Sequence, residues 1–150
     1  MNTIALLGAG GKMGLRLTAN LEGSSYDVRH VEISERGQAA LQARGHKSWS
    51  ADSALEGVDA VILAVPDNRI GSILQGIEKK LSPGTMVIML DVAAAYAGVL
   101  PVNDSLTWFI THPCHPPIFS DETEPLAQRD FFGGEHAKQQ SARQPCDGRS

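Results

Sequence analysis

The opening of the chain constrains the fold more than any other segment. The stretch Thr3–Leu7 is apolar on both faces, and the glycine-rich residues Gly8–Gly11 follow it directly. From Lys12 onward, apolar residues recur at helical spacing. A strand that is apolar on both faces is typical of a parallel sheet that helices cover on both sides. The opening therefore predicts the first βα unit of such a sheet.

The alternation of strand and helix continues along the chain. Ser34 is a typical N-cap for a second helix, and Pro66 ends the strongest central strand. The further predicted elements are strands at Tyr26–Ile33, His46–Trp49, Ala60–Val65, Met86–Leu90 and Leu106–Thr111, a helical turn at Asp52–Gly57 and a helix through Ile70–Ile77. Such alternation makes a parallel sheet with right-handed crossovers. The sequence therefore predicts an α/β protein with a Rossmann-type doubly wound parallel sheet.

Composition excludes several classes of protein. The hydrophobic share of 42% and the charged share of 20% rule out wholesale disorder. Few aromatic residues and a net charge of -4 with scattered basic residues argue against a nucleic-acid partner. No apolar run approaches the roughly 20 residues that cross a bilayer, and the start lacks the basic segment of an export signal. We expect a cytoplasmic protein without a membrane partner.

The last stretch of the chain has a different composition. Between Gly133 and Ser150 the apolar residues are Ala137, Ala142 and Cys146, and Gln, Arg and Lys dominate. No amphipathic helix fits this pattern. The sequence therefore predicts a single domain at residues 1–133 and a disordered tail at residues 134–150.

The glycine-rich loop predicts a dinucleotide-binding turn. It contains GxG at Gly8 and Gly10, or GxxGxxG at Gly8, Gly11 and Gly14, whereas Met13 replaces the third glycine of the standard GxGxxG motif. Glycines let a pyrophosphate approach the main chain, and the next helix presents free N–H groups and a positive dipole end. Gly14 would let helix and strand pack closely. Glycine-rich turns also occur for structural reasons, so the position between strand and helix is what favours this function.

Glu32 is the second candidate for cofactor binding. It lies roughly 20 residues past the glycines, where the ribose-binding acid of a dinucleotide domain belongs. A carboxylate there accepts hydrogen bonds from ribose hydroxyls and repels a 2′-phosphate, which favours NAD over NADP. A solvated glutamate at a strand end is the alternative. NADP stays an alternative cofactor, because the guanidinium of Arg36 is a suitable partner for a 2′-phosphate. Lys12 either assists binding of the pyrophosphate or is an ordinary exposed lysine.

The end of the predicted central strand is the third candidate. Ala64, Pro66 and Asp67 follow each other closely there. In doubly wound sheets, ligands bind outside the carboxyl ends of the strands, near the switch in strand order. Small residues followed by proline would form a flat wall against the bridge between the two nucleotides. A strand that simply ends at a proline turn explains the pattern equally well.

The segment Thr111–Pro117 combines histidines with prolines that fix the backbone. His112 and His115 are candidates for a general acid or base at a hydroxyl next to a hydride-transfer carbon. A rigid loop whose histidines bond the backbone is the alternative. No third ligand at suitable spacing joins Cys114 and the histidines, so we expect no metal site.

Four segments resemble the 6-phosphogluconate dehydrogenase-like superfamily, and within it the D-apionate oxidoisomerase group. They are GAGGKMG at 8–14, AVPDN at 64–68, LDVAAAYAG at 90–98 and HPCHPPIFSDET at 112–123. The last is the most specific, whereas dihydrodipicolinate reductases share the first. The resemblance covers about residues 1 to 135.

The resemblance implies NAD as cofactor, with Gly11, Lys12 and Met13 at the dinucleotide, Glu32 at the ribose and Asp67 at the nicotinamide side. It also implies NAD-dependent oxidation of the branched sugar acid D-apionate to 3-oxoisoapionate, with migration of the carbon skeleton, by enzymes that are homodimers when full-length. Such enzymes continue into a helical second domain. This sequence instead becomes abruptly polar after residue 134, which indicates a frameshift or premature stop in the coding sequence. One hypothesis is therefore that the chain is an inactive fragment.

Two other functions stay open at this point. The glycine loop alone also fits a dihydrodipicolinate-reductase-like NAD(P)H reductase, although Glu32 disfavours broad use of both cofactors. A non-catalytic NAD(H)-binding module fits the length of 150 residues better than either enzyme does.

Overall fold

A computed structural model describes residues 2–111 and 125–128 of the chain. Five strands form one parallel sheet in the order β2-β1-β3-β4-β5. The strands are β1 (Thr3–Leu7), β2 (Asp27–Val31), β3 (Ala60–Leu63), β4 (Met86–Met89) and β5 (Thr107–Ile110). The helices are α1 (Lys12–Leu21), α2 (Glu35–Gln42), α3 (Ala51–Leu55), α4 (Asp67–Ile77), α5 (Ala93–Tyr96) and α6 (Pro125–Gln128), with a 3₁₀ turn at Glu78–Lys80. Helix α6 belongs to a separate unit of the chain.

The predicted α/β parallel sheet is confirmed, and both of its faces are covered. One buried cluster includes Ala5, Leu7 and Leu63 and extends to α4, and the other includes Leu6 and Ile62 and extends to α1 and α2. Neighbouring side chains of a strand point to opposite faces, so a strand buried on both faces must be apolar throughout. Fully burying one such leucine contributes about 1.5–3 kcal/mol.

The predicted strand at His46–Trp49 is wrong. Only an isolated parallel bridge joins Trp49 to Val31, and the Trp49 N–H donates to the His30 carbonyl at 2.7 Å. Lys47 and Trp49 are exposed, and His46 is half-buried. Without an alternating apolar face, the segment gains too little from burial to extend the sheet.

The strand order places a switch in direction between β1 and β3. From β1 the chain moves to β2 on one side, and it then returns past β1 to β3 on the other side. Leu7 and Leu63 pair at the carboxyl ends of these strands, and the Ala64 N–H donates to the Leu7 carbonyl at 2.9 Å. Ligands of doubly wound sheets bind in the crevice at such a switch.

Within the described part of the chain, none of the helices has the length and hydrophobicity that crossing a bilayer requires. The predicted domain boundary at residue 133 and the predicted tail at 134–150 lie outside the described residues and stay predictions.

Candidate functional site

The turn after β1 requires glycine at its first position. Gly8 has φ of +77°, a backbone conformation that side chains rarely adopt. A Cβ atom on Gly8 would also overlap the Ala64 carbonyl oxygen and lie 2.9 Å from Val65 Cγ1. The N–H groups of Gly8 and Ala9 both donate to the Val31 carbonyl, at 2.9 and 3.1 Å. The turn is therefore packed between the ends of β2 and β3.

Two further glycines of the loop allow close packing. A Cβ on Gly14 would overlap the Gly8 carbonyl oxygen and lie 2.6 Å from Ala9 Cα, so α1 approaches the turn only because residue 14 has no side chain. This is the packing role that the sequence predicts for Gly14. A Cβ on Gly10 would overlap the backbone of Gly37 in α2. Both glycines serve the packing of helices around the loop.

Gly11 differs from the other glycines of the loop because it is exposed. It is the N-cap of α1, with φ of -75° and ψ of 171°, and no side chain caps the helix. A Cβ there would meet only the carbonyl oxygens of Gly8 at 3.3 Å and Ala64 at 3.9 Å. The first-turn N–H groups, including those of Lys12 and Met13, have no partner within the helix. The space beside Gly11 is thus a cradle of amide donors at a positive helix end, which suits an anion.

The carboxylate of Glu32 joins this loop to α2. Its Oε2 accepts from the Gly10 N–H at 3.0 Å. Its Oε1 accepts from the Ile33 N–H at 2.9 Å, the Ser34 N–H at 2.8 Å and the Ser34 hydroxyl at 2.9 Å. Each carboxylate oxygen has about two lone-pair sites, so Oε2 retains capacity for one more donor.

The same contacts set the charge of Glu32. Burial raises the pKa of its carboxyl, but the hydrogen bonds from Ser34, Gly10 and Ile33 outweigh burial and lower the pKa below its ordinary value. Glu32 is therefore an anion at neutral pH, and it lies one residue past the end of β2.

Sequence reasoning missed Gly37 as part of this site. A Cβ there would lie 2.6 Å from Glu32 Cγ and 2.7 Å from its Oε2, and Gly37 also touches Gly10. The predicted N-cap Ser34 is confirmed, since its hydroxyl accepts from the Gly37 N–H at 3.1 Å. A glycine in the first turn of α2 was the available signal, because glycine is unfavourable inside a helix unless something approaches closely.

The residues after β3 lie at the same edge of the sheet as the glycine loop. The Ala64 carbonyl oxygen borders both Gly8 and Gly11. Pro66 is the N-cap of α4, and Asp67 is exposed in its first turn, where the helix dipole favours a carboxylate. The structure thus brings Ala64 to the cradle. The side chain of Asp67 forms no hydrogen bond or ion pair with any described residue, and Asp67 is explained equally well as a helix-terminal acid.

The remaining candidates are either exposed or not described. The side chains of Lys12 and Arg36 are exposed, and neither forms an ion pair with another described residue. His112 and His115 lie outside the described residues, as does Cys114. Within residues 2–111 and 125–128, no three histidine, cysteine or acidic side chains converge as a metal site would require.

Comparison with known proteins is consistent with this geometry. Residues 3–96 match the family described as the NAD binding domain of 6-phosphogluconate dehydrogenase. The chain is 59% identical over 140 residues to a D-apionate oxidoisomerase of Rhizobium rhizogenes, covering 93% of this chain and 51% of the relative. It is 57% identical over 137 residues to a D-apionate oxidoisomerase of Cupriavidus necator, covering 91% and 50%. The chain spans about half the length of the curated relatives it matches.

A solved structure is similar over the same part. It is a semialdehyde dehydrogenase NAD-binding protein from Cupriavidus necator in complex with calcium and NAD, with a TM-score of 0.80 and 55% sequence identity. The match covers 92% of this chain and 50% of the solved one.

Proposed function

Because the chain belongs to the family of the NAD-binding domain of 6-phosphogluconate dehydrogenase, we propose that it binds NAD at the carboxyl ends of β1 and β3. One observation carries this proposal: the open cradle at Gly11 and the anionic Glu32 are joined through the Gly10 N–H, at the switch in strand order. A diphosphate needs the amide donors of the cradle, and a ribose attached to that diphosphate needs the carboxylate of Glu32.

The residues present fit the dinucleotide. The amides of Lys12 and Met13 would hold the diphosphate beside Gly11, whose own N–H donates to the Gly8 carbonyl at 3.0 Å. The remaining acceptor site on Glu32 Oε2 would take a ribose hydroxyl. Ala64 and Pro66 would form the wall toward the nicotinamide half, with Asp67 beyond them. The bound cofactor would supply a hydride acceptor.

The same site favours NAD over NADP. A 2′-phosphate would stand beside the Glu32 carboxylate, and like charges at such a distance repel each other. The pKa of Glu32 is lowered, so the group does not escape this repulsion by taking up a proton near neutral pH. Arg36, the cation that would relieve this repulsion, is exposed and forms no ion pair with Glu32.

For the whole protein we propose NAD-dependent oxidation of a branched sugar acid of the D-apionate type. The support is the similarity to enzymes named D-apionate oxidoisomerase at 57 to 59% identity. His112 or His115 would accept the proton of the substrate hydroxyl as hydride leaves the adjacent carbon. A cytoplasmic location and a homodimer belong to the same proposal.

Two measurements test these proposals in sequence. Calorimetric titration of the folded chain with NAD and NADP should give saturable heat with NAD and weaker binding of NADP. Formation of NADH with D-apionate as substrate then tests turnover, with His112→Ala and His115→Ala as variants. Binding without turnover would favour a non-catalytic NAD(H)-binding module or an inactive fragment. Absence of heat with either nucleotide at millimolar concentration would refute cofactor binding altogether.

A further inference from the structure

A cavity of about 440 Å³ lies at the end of β2, beside the proposed cofactor site. Its lining includes Glu32, Ile33, Trp49 and Ser50. The volume is in the range of small-molecule sites. Because Glu32 also accepts the Gly10 N–H, the cavity and the glycine loop share this residue. Whatever binds to the Glu32 carboxylate therefore has the cavity as its neighbour.

Two large apolar side chains line this cavity without belonging to the core. Ile33 is 89% exposed and Trp49 is 45% exposed. Single exposed apolar residues are ordinary on a protein surface. Here, however, an aromatic ring and a branched aliphatic chain line the same cavity as an acid. Ile33 and Trp49 therefore offer apolar contact to a flat ring that is attached to a sugar bound at Glu32.

The ring of Trp49 is held in place before any ligand arrives. Its backbone N–H is fixed by the bond to the His30 carbonyl. The guanidinium carbon of Arg29 lies 5.4 Å from the centroid of the Trp49 ring, within the range of a cation–π contact.

Arg29 is itself anchored. Its Nη1 donates to the carbonyl of Glu56 at 2.7 Å and to that of Ala54 at 3.3 Å, and its Nε lies 3.6 Å from Asp27 Oδ2. A side chain fixed at its base and against a fixed cation loses less rotational freedom when a ligand stacks on it.

We propose that Trp49 is the residue on which the adenine of the bound dinucleotide stacks. This inference rests on the proposed NAD binding, since the base is located by the ribose at Glu32. A purine attached to that ribose must lie within one glycosidic bond of it, and the cavity beside Glu32 offers both Ile33 and Trp49. Stacking of a base on an aromatic side chain contributes enough that its loss weakens binding about tenfold.

The test uses the two tryptophans of the chain as a reporter and its matched control. Trp49 lies beside β2, whereas Trp108 lies on β5 at the opposite edge of the sheet. ADP-ribose is the probe, because it carries the adenosine end but absorbs no light where tryptophan emits. Trp108→Phe leaves Trp49 as the reporter, and Trp49→Phe leaves Trp108 as the control. Calorimetry measures the Kd of ADP-ribose for the unmodified chain, for each of these two variants and for Trp49→Ala.

The proposal predicts a saturable change in the emission of Trp108→Phe, with a midpoint equal to its calorimetric Kd, and constant emission from Trp49→Phe. It also predicts that Trp49→Ala raises the Kd about tenfold. Calorimetric binding with constant emission from Trp108→Phe would overturn the role of Trp49 and leave NAD binding standing. Absence of calorimetric binding to the unmodified chain would overturn both. The emission measurement on Trp108→Phe leaves the whole proposed site intact, so it tests the proposal even if Trp49→Ala does not fold.

Discussion

Replacing Gly11 by alanine separates cofactor binding from folding. Gly11 has φ of -75° and ψ of 171°, an extended conformation open to any residue. The added methyl would press slightly on the Gly8 carbonyl oxygen at 3.3 Å and touch the Ala64 carbonyl oxygen at 3.9 Å. Alanine is a poorer N-cap than glycine, so we expect the free energy of unfolding to fall by about 1 kcal/mol or less.

The same methyl should interfere strongly with the cofactor. It would fill part of the space where the proposed diphosphate lies against the amides of α1. A hydrogen bond to a charged group contributes about 1.5–3 kcal/mol, and displacement of the diphosphate would cost one such bond. We therefore expect the Kd for NAD to rise by roughly 10- to 100-fold. Calorimetric titration gives the Kd, and urea unfolding of the same preparation gives the stability.

Gly14→Ala is the control for Gly11→Ala. Its methyl would overlap the Gly8 carbonyl oxygen and press on Ala9 Cα, so the helix must shift. Overpacking of this kind costs about 1–3 kcal/mol, and stability and binding should fall together. If Gly11→Ala binds NAD as tightly as the unmodified chain, the cradle is not where the diphosphate binds and the reasoning is refuted.

Three further perturbations test the contacts around β2. Gly37→Ala should press on Glu32 and Gly10, lowering stability by about 1–3 kcal/mol in urea unfolding and raising the Kd for NAD; unchanged values of both would contradict the close packing. Glu32→Gln removes the charge that repels a 2′-phosphate, so the ratio of the Kd for NADP to the Kd for NAD should fall by about tenfold in paired titrations. The pKa of Glu32 is lowered on folding, so its stabilising effect is present above its ordinary pKa of 4.5 and is lost as pH falls through the folded-state pKa; urea unfolding of Glu32→Gln should lack this acid-dependent loss. Burial and the nearby His46 lower the pKa of His30, so stability should decline as pH falls below 6.5, and His30→Leu should lack that part of the decline.

The fold could be predicted from local periodicity. Thr3–Leu7 and Ala60–Leu63 are apolar throughout, and burial on both faces of a sheet is the environment that such runs require. The same method was wrong at His46–Trp49, where polar and exposed residues leave only one bridge to Val31. Short segments carry too few residues for a period to distinguish a strand from a loop.

The site could be predicted in part. The glycines, Glu32 and Ala64 were identified because their residue types and spacing suit a dinucleotide, and the structure brings all of them to one edge of the sheet. Gly37 and Trp49 could not be identified in this way. Their importance comes from contact with Glu32 and Arg29. A glycine in the first turn of α2 signals a close approach without identifying Glu32 as the partner, and nothing in the sequence pairs Trp49 with Arg29.

The amino-acid sequence by itself determined the alternation of strands and helices, the turn at Gly8 and the presence of an acid after β2. These features depend on the backbone preferences and polarity of neighbouring residues, which act locally. Only the tertiary structure decided that the Gly10 N–H donates to Glu32, that Gly37 packs against both residues, and that Gly11 alone of the loop glycines is exposed. Those outcomes depend on how closely α1 and α2 pack against the loop, and that distance is set by the sheet and its two apolar clusters together.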